Sequence, residues 1–142
     1  KNVYELHGSI RRYFCMRCGL VYDLDYVEDP KNRKKGSYIP YCKCGGMLKP
    51  DVVLYEEPLD DTVVTGAIKA IKKADLLIVG GTSLIVYPAA GLLNYFRGKH
   101  LVLINRDETS YDSQAEIVIH DNLGKVFGAI QQALDEDGKT LK

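Results

Sequence analysis

His7, within the stretch ELHGS, stands eight positions before the first of four cysteines. Its imidazole suits proton transfer, because an ordinary pKa of about 6.5 leaves the ring largely neutral and able to accept a proton near pH 7. A structural histidine at a strand end is the competing reading. Cys15, Cys18, Cys42 and Cys44 form a C-x2-C knuckle, a gap of 23 residues and a C-x-C knuckle. Four thiolates gathered this way suit a tetrahedral zinc ion, with disulfides or free buried thiols as alternatives. Four protein ligands close the coordination shell and leave no position for a reacting water, so the expected role of the metal is structural. Gly19 follows the first knuckle and Gly45-Gly46 the second, which permits tight turns that aim backbone amides at sulfur.

The elements that must position these groups change character along the chain. Between the knuckles, DLDYVEDPKNRKKGSYIP ends in a basic run whose acidic neighbours make it a solvated loop, not a nucleic-acid patch. After Gly46 comes DVVLY (51–55), a short β-branched strand, then an acidic turn and an amphipathic helix to Lys73. Val63, Val64, Ala67, Ile68 and Ile71 share its apolar face, and Asp60 or Asp61 can cap it. The unbroken apolar run 76–79 predicts a strand buried on both faces of a parallel sheet. Pro88 can open a helix that Gly98 ends; LVLIN (101–105) and AEIVIH (115–120) give two further strands. The last helix is predicted from Leu123 to near Leu134, with Val126, Phe127, Ile130, Ala133 and Leu134 on one face.

This alternation predicts an α/β fold: part of a doubly wound, parallel, Rossmann-like sheet beside a small zinc-ribbon subdomain. Residues 1–12 would carry the histidine, 13–47 the metal and 48–142 the sheet. Ligands of such sheets bind beyond the carboxyl ends of the strands, where GGTS and NR stand; ordinary βα turns explain the same residues.

Composition narrows the function. Of 142 residues, 46 % are apolar, enough for a real core, and 19 Lys or Arg balance 19 Asp or Glu. No net positive field draws the chain to nucleic acid. No apolar run approaches the roughly 20 residues of a spanning helix, and no leader-like segment precedes the first element, so we expect a soluble cytoplasmic protein without membrane contact. No feature specifies an oligomeric state.

Taken in order, ELHGS, CMRC…CKCGG, LKPDVVLYEE, GGTSLIVYPAA and LINRDET resemble the signature of the sirtuin family of NAD-dependent protein deacylases, most of all its bacterial branch, from Asn2 to near Leu134. The resemblance implies a zinc ribbon inserted beside a catalytic base, His7, in a dinucleotide-binding sheet. It implies that the acyl oxygen of a modified lysine attacks the nicotinamide ribose carbon of NAD, giving an alkylimidate, while the histidine deprotonates a ribose hydroxyl. Gly81, Thr82 and Ser83 resemble the turn at the NAD phosphates and adenosine ribose. Asn105 and Arg106 resemble the adenine-side ribose contact, and Asp121 lies near the last adenine contact. Val53, Leu54, Tyr55 and Glu56 resemble the strand to which the acyl-lysine peptide adds, and Val86 and Tyr87 the opposite wall of that cleft.

Two departures bear on function. Tyr55 stands where the family has Phe, and Glu56 where it has Gly. The family's GAGxS loop and NID stretch have no counterpart, so the expectation is a truncated chain, inactive alone because half the cofactor grip is missing. A sirtuin-type protein ADP-ribosyltransferase and a non-enzymatic zinc-ribbon interaction module are the alternatives.

Overall fold

The computed structural model describes residues 2–140, without the side chains of 137–140. Lys1, Leu141 and Lys142, at the ends of the first and last predicted segments, lie outside the described residues. The chain divides into two units, residues 1–64 and 65–142.

The first unit is built on an antiparallel sheet in the order β2-β1-β3, from β1 (Gly8–Cys15), β2 (Val21–Asp23) and β3 (Leu48–Val52). Gly8 opposes Val52 and Cys15 opposes Leu48, so the two ends of one strand pair carry His7's neighbour and a cysteine. A one-turn helix, α1 (Leu24–Glu28), starts where the Asp23 carboxylate accepts the Tyr26 amide at 2.9 Å. The core consists of Cys15, Val27, Cys42 and Leu48, edged by Tyr13, Tyr22 and Tyr26. Two of those four residues are candidate metal ligands.

Three expectations change here. The predicted strand 51–55 contributes only Asp51 and Val52 to β3, because pairing with β1 carries the strand upstream to Leu48 and the Glu57 carboxylate takes the Leu54 amide at 3.0 Å. Consequently Val53, Leu54, Tyr55 and Glu56 form a turn instead of an edge strand. The basic run is only partly a solvated loop: Arg33 points inward, and its guanidinium donates to the Val27 carbonyl at 3.2 Å near the end of α1.

In the second unit, β4 (Leu76–Gly80), β5 (His100–Ile104) and β6 (Ile117–Ile119) form a parallel sheet in that order. Its centre is β5, where Leu101, Leu103 and Ile104 are buried. The expectation that β4 is buried on both faces fails, since Leu76 is 50 % and Ile78 42 % exposed. Among the described residues β4 pairs with β5 alone, so it is an edge strand. The helix predicted after Pro88 is a three-ten helix, Ala89–Tyr95, whose turns close in three-residue steps such as the Gly91 amide to the Pro88 carbonyl, 3.0 Å.

Two α-helices complete the chain. In α2 (Asp61–Lys73) the Asp60 carboxylate accepts the amides of Thr62 and Val63 at 2.7 and 3.0 Å, and the predicted apolar face is the one turned from solvent. The last helix, α3 (Leu123–Thr140), runs beyond Leu134, supported by Gln131 to Asp135 and Gln132 to Glu136 hydrogen bonds. Its apolar face carries Phe127, Ile130 and Leu134, all exposed.

Candidate functional site

The four cysteine sulfurs lie within 4.8 Å of one another. Cys15 Sγ is 3.5 Å from Cys44 Sγ, and Cys18 Sγ is 3.5 Å from Cys42 Sγ. A tetrahedron of four Zn–S bonds has edges of about 3.8 Å, so these separations suit one ion, and none of the four is in a disulfide. The knuckle backbone supplies amides: Arg17 N reaches Cys15 Sγ at 3.3 Å and Cys44 N reaches Cys42 Sγ at 3.4 Å. The Tyr22 hydroxyl, 3.0 Å away, and then the Cys44 amide bring the Cys42 thiol down to about 6, while the same bond pushes Tyr22 up to about 12. Burial pushes the Cys15 thiol up, but the amides of Cys18 and Arg17 and the neighbouring sulfurs carry it below its ordinary value. Cys18 and Cys44 move the other way: against the Leu20 and Gly46 amides, burial and neighbouring sulfurs push Cys18 up to about 12 and raise Cys44. A bound ion would brace the knuckles, holding the end of β1 to the start of β3.

At the other end of β1 sits His7. The Gly8 amide donates to the Glu5 carbonyl at 2.9 Å, closing a turn that presents His7, which is exposed. Gly8 has φ +75°, and a Cβ there would stand 1.9 Å from the Asp51 carbonyl oxygen. Only glycine allows that approach. The Val53 amide donates to the His7 carbonyl at 3.1 Å, so the histidine and the first residue of the predicted peptide-binding stretch are neighbours. Arg12 clamps the same end, pairing with Glu5 at 2.6 Å and with Asp51 at 2.8 Å. Beyond Val53, Glu57 fixes the turn by accepting from both the Leu54 amide and Lys49 Nζ at 3.0 Å, and these two contacts lower its carboxyl below the usual range. At its tip Tyr55 is fully exposed and Glu56 has φ +68°, a left-handed conformation that favours glycine.

Beyond the carboxyl ends of β4, β5 and β6 lies a hollow of about 280 Å³ whose lining includes Gly81, Asn105, Arg106, Asp107, Asp121 and Asn122. Gly81 has φ +66° and its amide donates to the Ile104 carbonyl at 3.0 Å, which turns the chain sharply off β4. Lys125 at 2.5 Å, and then the Asn122 amide, hold the Asp121 carboxyl below its ordinary value. His120 spans the rim, with Nδ1 3.2 Å from the Asn105 carbonyl and Nε2 3.2 Å from Asp112.

Among the predicted NAD contacts, Gly81, Asn105, Arg106 and Asp121 therefore share one hollow. Thr82 and Ser83 do not line it; Thr82 Oγ1 instead accepts the Leu84 amide at 3.2 Å. Val86 and Tyr87 are exposed, and Tyr87 hydrogen-bonds Tyr111, raising the Tyr111 phenol. Asp107, Asn122 and Tyr22 escaped the sequence reading. The first two flank predicted residues and adjacency was their signal; Tyr22, between Val21 and Asp23, carried none.

The profile of the Sir2 family matches residues 1–88. The chain is 58 % identical over 131 residues to an NAD-dependent protein deacetylase of Clostridium acetobutylicum, covering 92 % of this chain and 51 % of that protein. For the NAD-dependent protein deacetylase of Clostridium perfringens the identity is 59 % over 132 residues, covering 92 % of this chain and 52 % of the relative. A solved Sir2 structure with p53 peptide and NAD+ superposes with TM-score 0.77 at 32 % identity, over 97 % of this chain and 56 % of that one. The chain belongs to the Sir2 family, the sirtuins. It spans about half the length of the curated relatives it matches.

Proposed function

We propose that a full-length protein carrying this chain is a cytoplasmic NAD-dependent protein-lysine deacetylase that consumes NAD and holds one structural zinc. The observation that carries this reading is the 58 % identity over 131 residues to a protein named for that activity, on a chain that keeps His7 and all four cysteines. NAD would supply a ribose carbon whose bond to nicotinamide breaks as its bond to the acyl oxygen of lysine forms; addition of one water then leaves free lysine and acetylated ADP-ribose.

Residues of this chain have definite tasks in the scheme. His7 accepts a proton from a ribose hydroxyl, a role open to an exposed imidazole whose backbone is held by the turn at Gly8. Gly81, Asn105, Arg106 and Asp121 hold the adenosine end, with Thr82 and Ser83 on the adjoining turn; Asn105, with Arg106 beside it, offers an amide to the adenine-side ribose, and Asp121 lies near the adenine. Val53, Leu54, Tyr55 and Glu56 in the first unit, and Val86 and Tyr87 in the second, are the proposed contacts of an acyl-lysine peptide. In this reading residues 1–12 carry the base, 13–47 the metal and 48–142 the nucleotide-binding sheet.

The hollow of about 280 Å³ lies just below the roughly 300–1,000 Å³ of small-molecule sites, and the family's GAGxS and NID motifs have no counterpart in this sequence. The 142 residues alone are therefore proposed to be inactive. Incubating the full-length protein and this chain separately with NAD and an acetyl-lysine peptide tests both statements. Nicotinamide and acetylated ADP-ribose should form with the full-length protein alone. Transfer of ADP-ribose to protein without peptide deacetylation would replace the reading with a transferase, and product from the short chain would refute its inactivity.

A further inference from the structure

Tyr22 has a place in the metal site that no spacing rule assigns. It lies in β2 opposite Tyr13, and its hydroxyl oxygen is 3.0 Å from the sulfur of Cys42, which is 4 % exposed. Its ring stacks on Tyr26 with centroids 4.2 Å apart, and the Tyr26 hydroxyl donates to the carbonyl of Tyr41, the residue before Cys42, at 3.2 Å. Strand pairing on one side and stacking on the other thus hold the hydroxyl against one sulfur. Among the described residues no other side chain apart from the cysteines hydrogen-bonds any of the four sulfurs.

We infer that the Tyr22 hydroxyl donates to the zinc-bound Cys42 thiolate, positions that sulfur on the ion and slows its release. A metal-bound thiolate carries no proton, so the hydroxyl is the donor. Donation draws charge from the sulfur and reduces its nucleophilicity toward competing electrophiles. Because Cys42 is buried, water does not simply replace a lost donor, and the sulfur would keep an unsatisfied lone pair. Cys18 and Cys44 are exposed and can take water instead.

The test uses the whole chain loaded with zinc and an excess of a chromogenic chelator. Tyr22→Phe keeps the stacked ring and removes one oxygen; loss of such an outer contact typically costs at least tenfold in metal affinity, so release should quicken by about tenfold. Tyr38→Phe removes a hydroxyl on a side chain that is 90 % exposed and should release zinc at the wild-type rate. In cobalt-loaded protein the sulfur-to-metal charge-transfer band should move in Tyr22→Phe and stay in place in Tyr38→Phe. A 3-fluorotyrosine at position 22, a stronger donor on the same ring, should slow release, and it supplies the reading if the Phe variant does not fold. Wild-type release with an unmoved band in Tyr22→Phe, equal effects of the two Phe variants, or unchanged release with 3-fluorotyrosine would each overturn the inference. A wild-type chain that binds no zinc would remove the metal site itself.

Discussion

The two units are held together by different physics. In the first, half of the buried core consists of cysteine, and the remaining apolar burial is Val27 and Leu48 with three tyrosines at the edge. In the second, the buried residues are aliphatic, among them Leu84, Ala90, Leu101, Leu103 and Ile104. A core as small as that of the first unit does not offset the entropy of ordering 64 residues without a staple. A parallel sheet whose central strand is covered has an apolar core of its own. The placement of the candidate sites follows the contrast: the cysteine cluster stands at one end of the β1–β3 pair and His7 at the other, while the residues proposed for nucleotide binding sit on turns that the parallel sheet positions directly.

The largest expected effect comes from removing the metal. Because zinc binding energy at a structural site is folding energy, of order 10 kcal/mol in small zinc modules, a strong chelator should unfold the first unit and spare the second. Near-ultraviolet dichroism from Tyr22 and Tyr26 should vanish while most helical signal from α2 and α3 remains. Loss of both signals together would show that the units do not differ in this way. Next in size is Leu103→Ala in β5, where Leu103 is 2 % exposed. That cavity should cost the second unit about 3 kcal/mol in urea unfolding and leave zinc content at one per chain.

Smaller effects sharpen the contrast at the turns. Glu56→Gly should stabilise the first unit by roughly 1 kcal/mol, since the left-handed conformation at φ +68° is free for glycine. An unchanged or lower denaturation midpoint would mean that the Glu56 side chain contributes a contact of its own. The smallest effect depends on pH. Amides of Val63 and Thr62 hold the Asp60 carboxyl below its ordinary value. A depressed folded pKa adds stability that is fully present above the unfolded value of about 3.9 and fades as pH falls below it. Asp60→Asn should therefore weaken amide protection in the first turn of α2 at pH 7, with the difference from wild type closing below pH 4. A difference that persists in acid would point to the helix cap acting through shape alone.

How much of this was legible in the sequence depended on whether a signal is local. The cysteine spacing announced the metal site because two knuckles with trailing glycines need no tertiary context. The runs at 76–79 and 101–105 announced a parallel sheet for the same reason, and the face of α2 followed from its periodicity. Burial of β4 was misjudged because an apolar run reports what a strand can cover, not whether a neighbour is present to cover it. The strand at 51–55 moved upstream because register with β1 overrode local β-propensity. Arg33 and Tyr22 were invisible, since each acts through a partner that only the fold brings near: the Val27 carbonyl for one, the Cys42 sulfur for the other. Of the candidate nucleotide residues, Gly81, Asn105 and Arg106, read from strand ends, and Asp121, read from the family resemblance, line one hollow, whereas Thr82 turns its hydroxyl to the Leu84 amide.

The most direct test of the division between bracing metal and reacting imidazole is nicotinamide release by the full-length protein with His7→Ala, measured beside its zinc content. The account predicts a loss of roughly 100-fold or more in turnover with one zinc per chain retained and the Tyr22–Tyr26 dichroism unchanged. Turnover near the wild-type rate, or turnover lost only together with the metal, would contradict it.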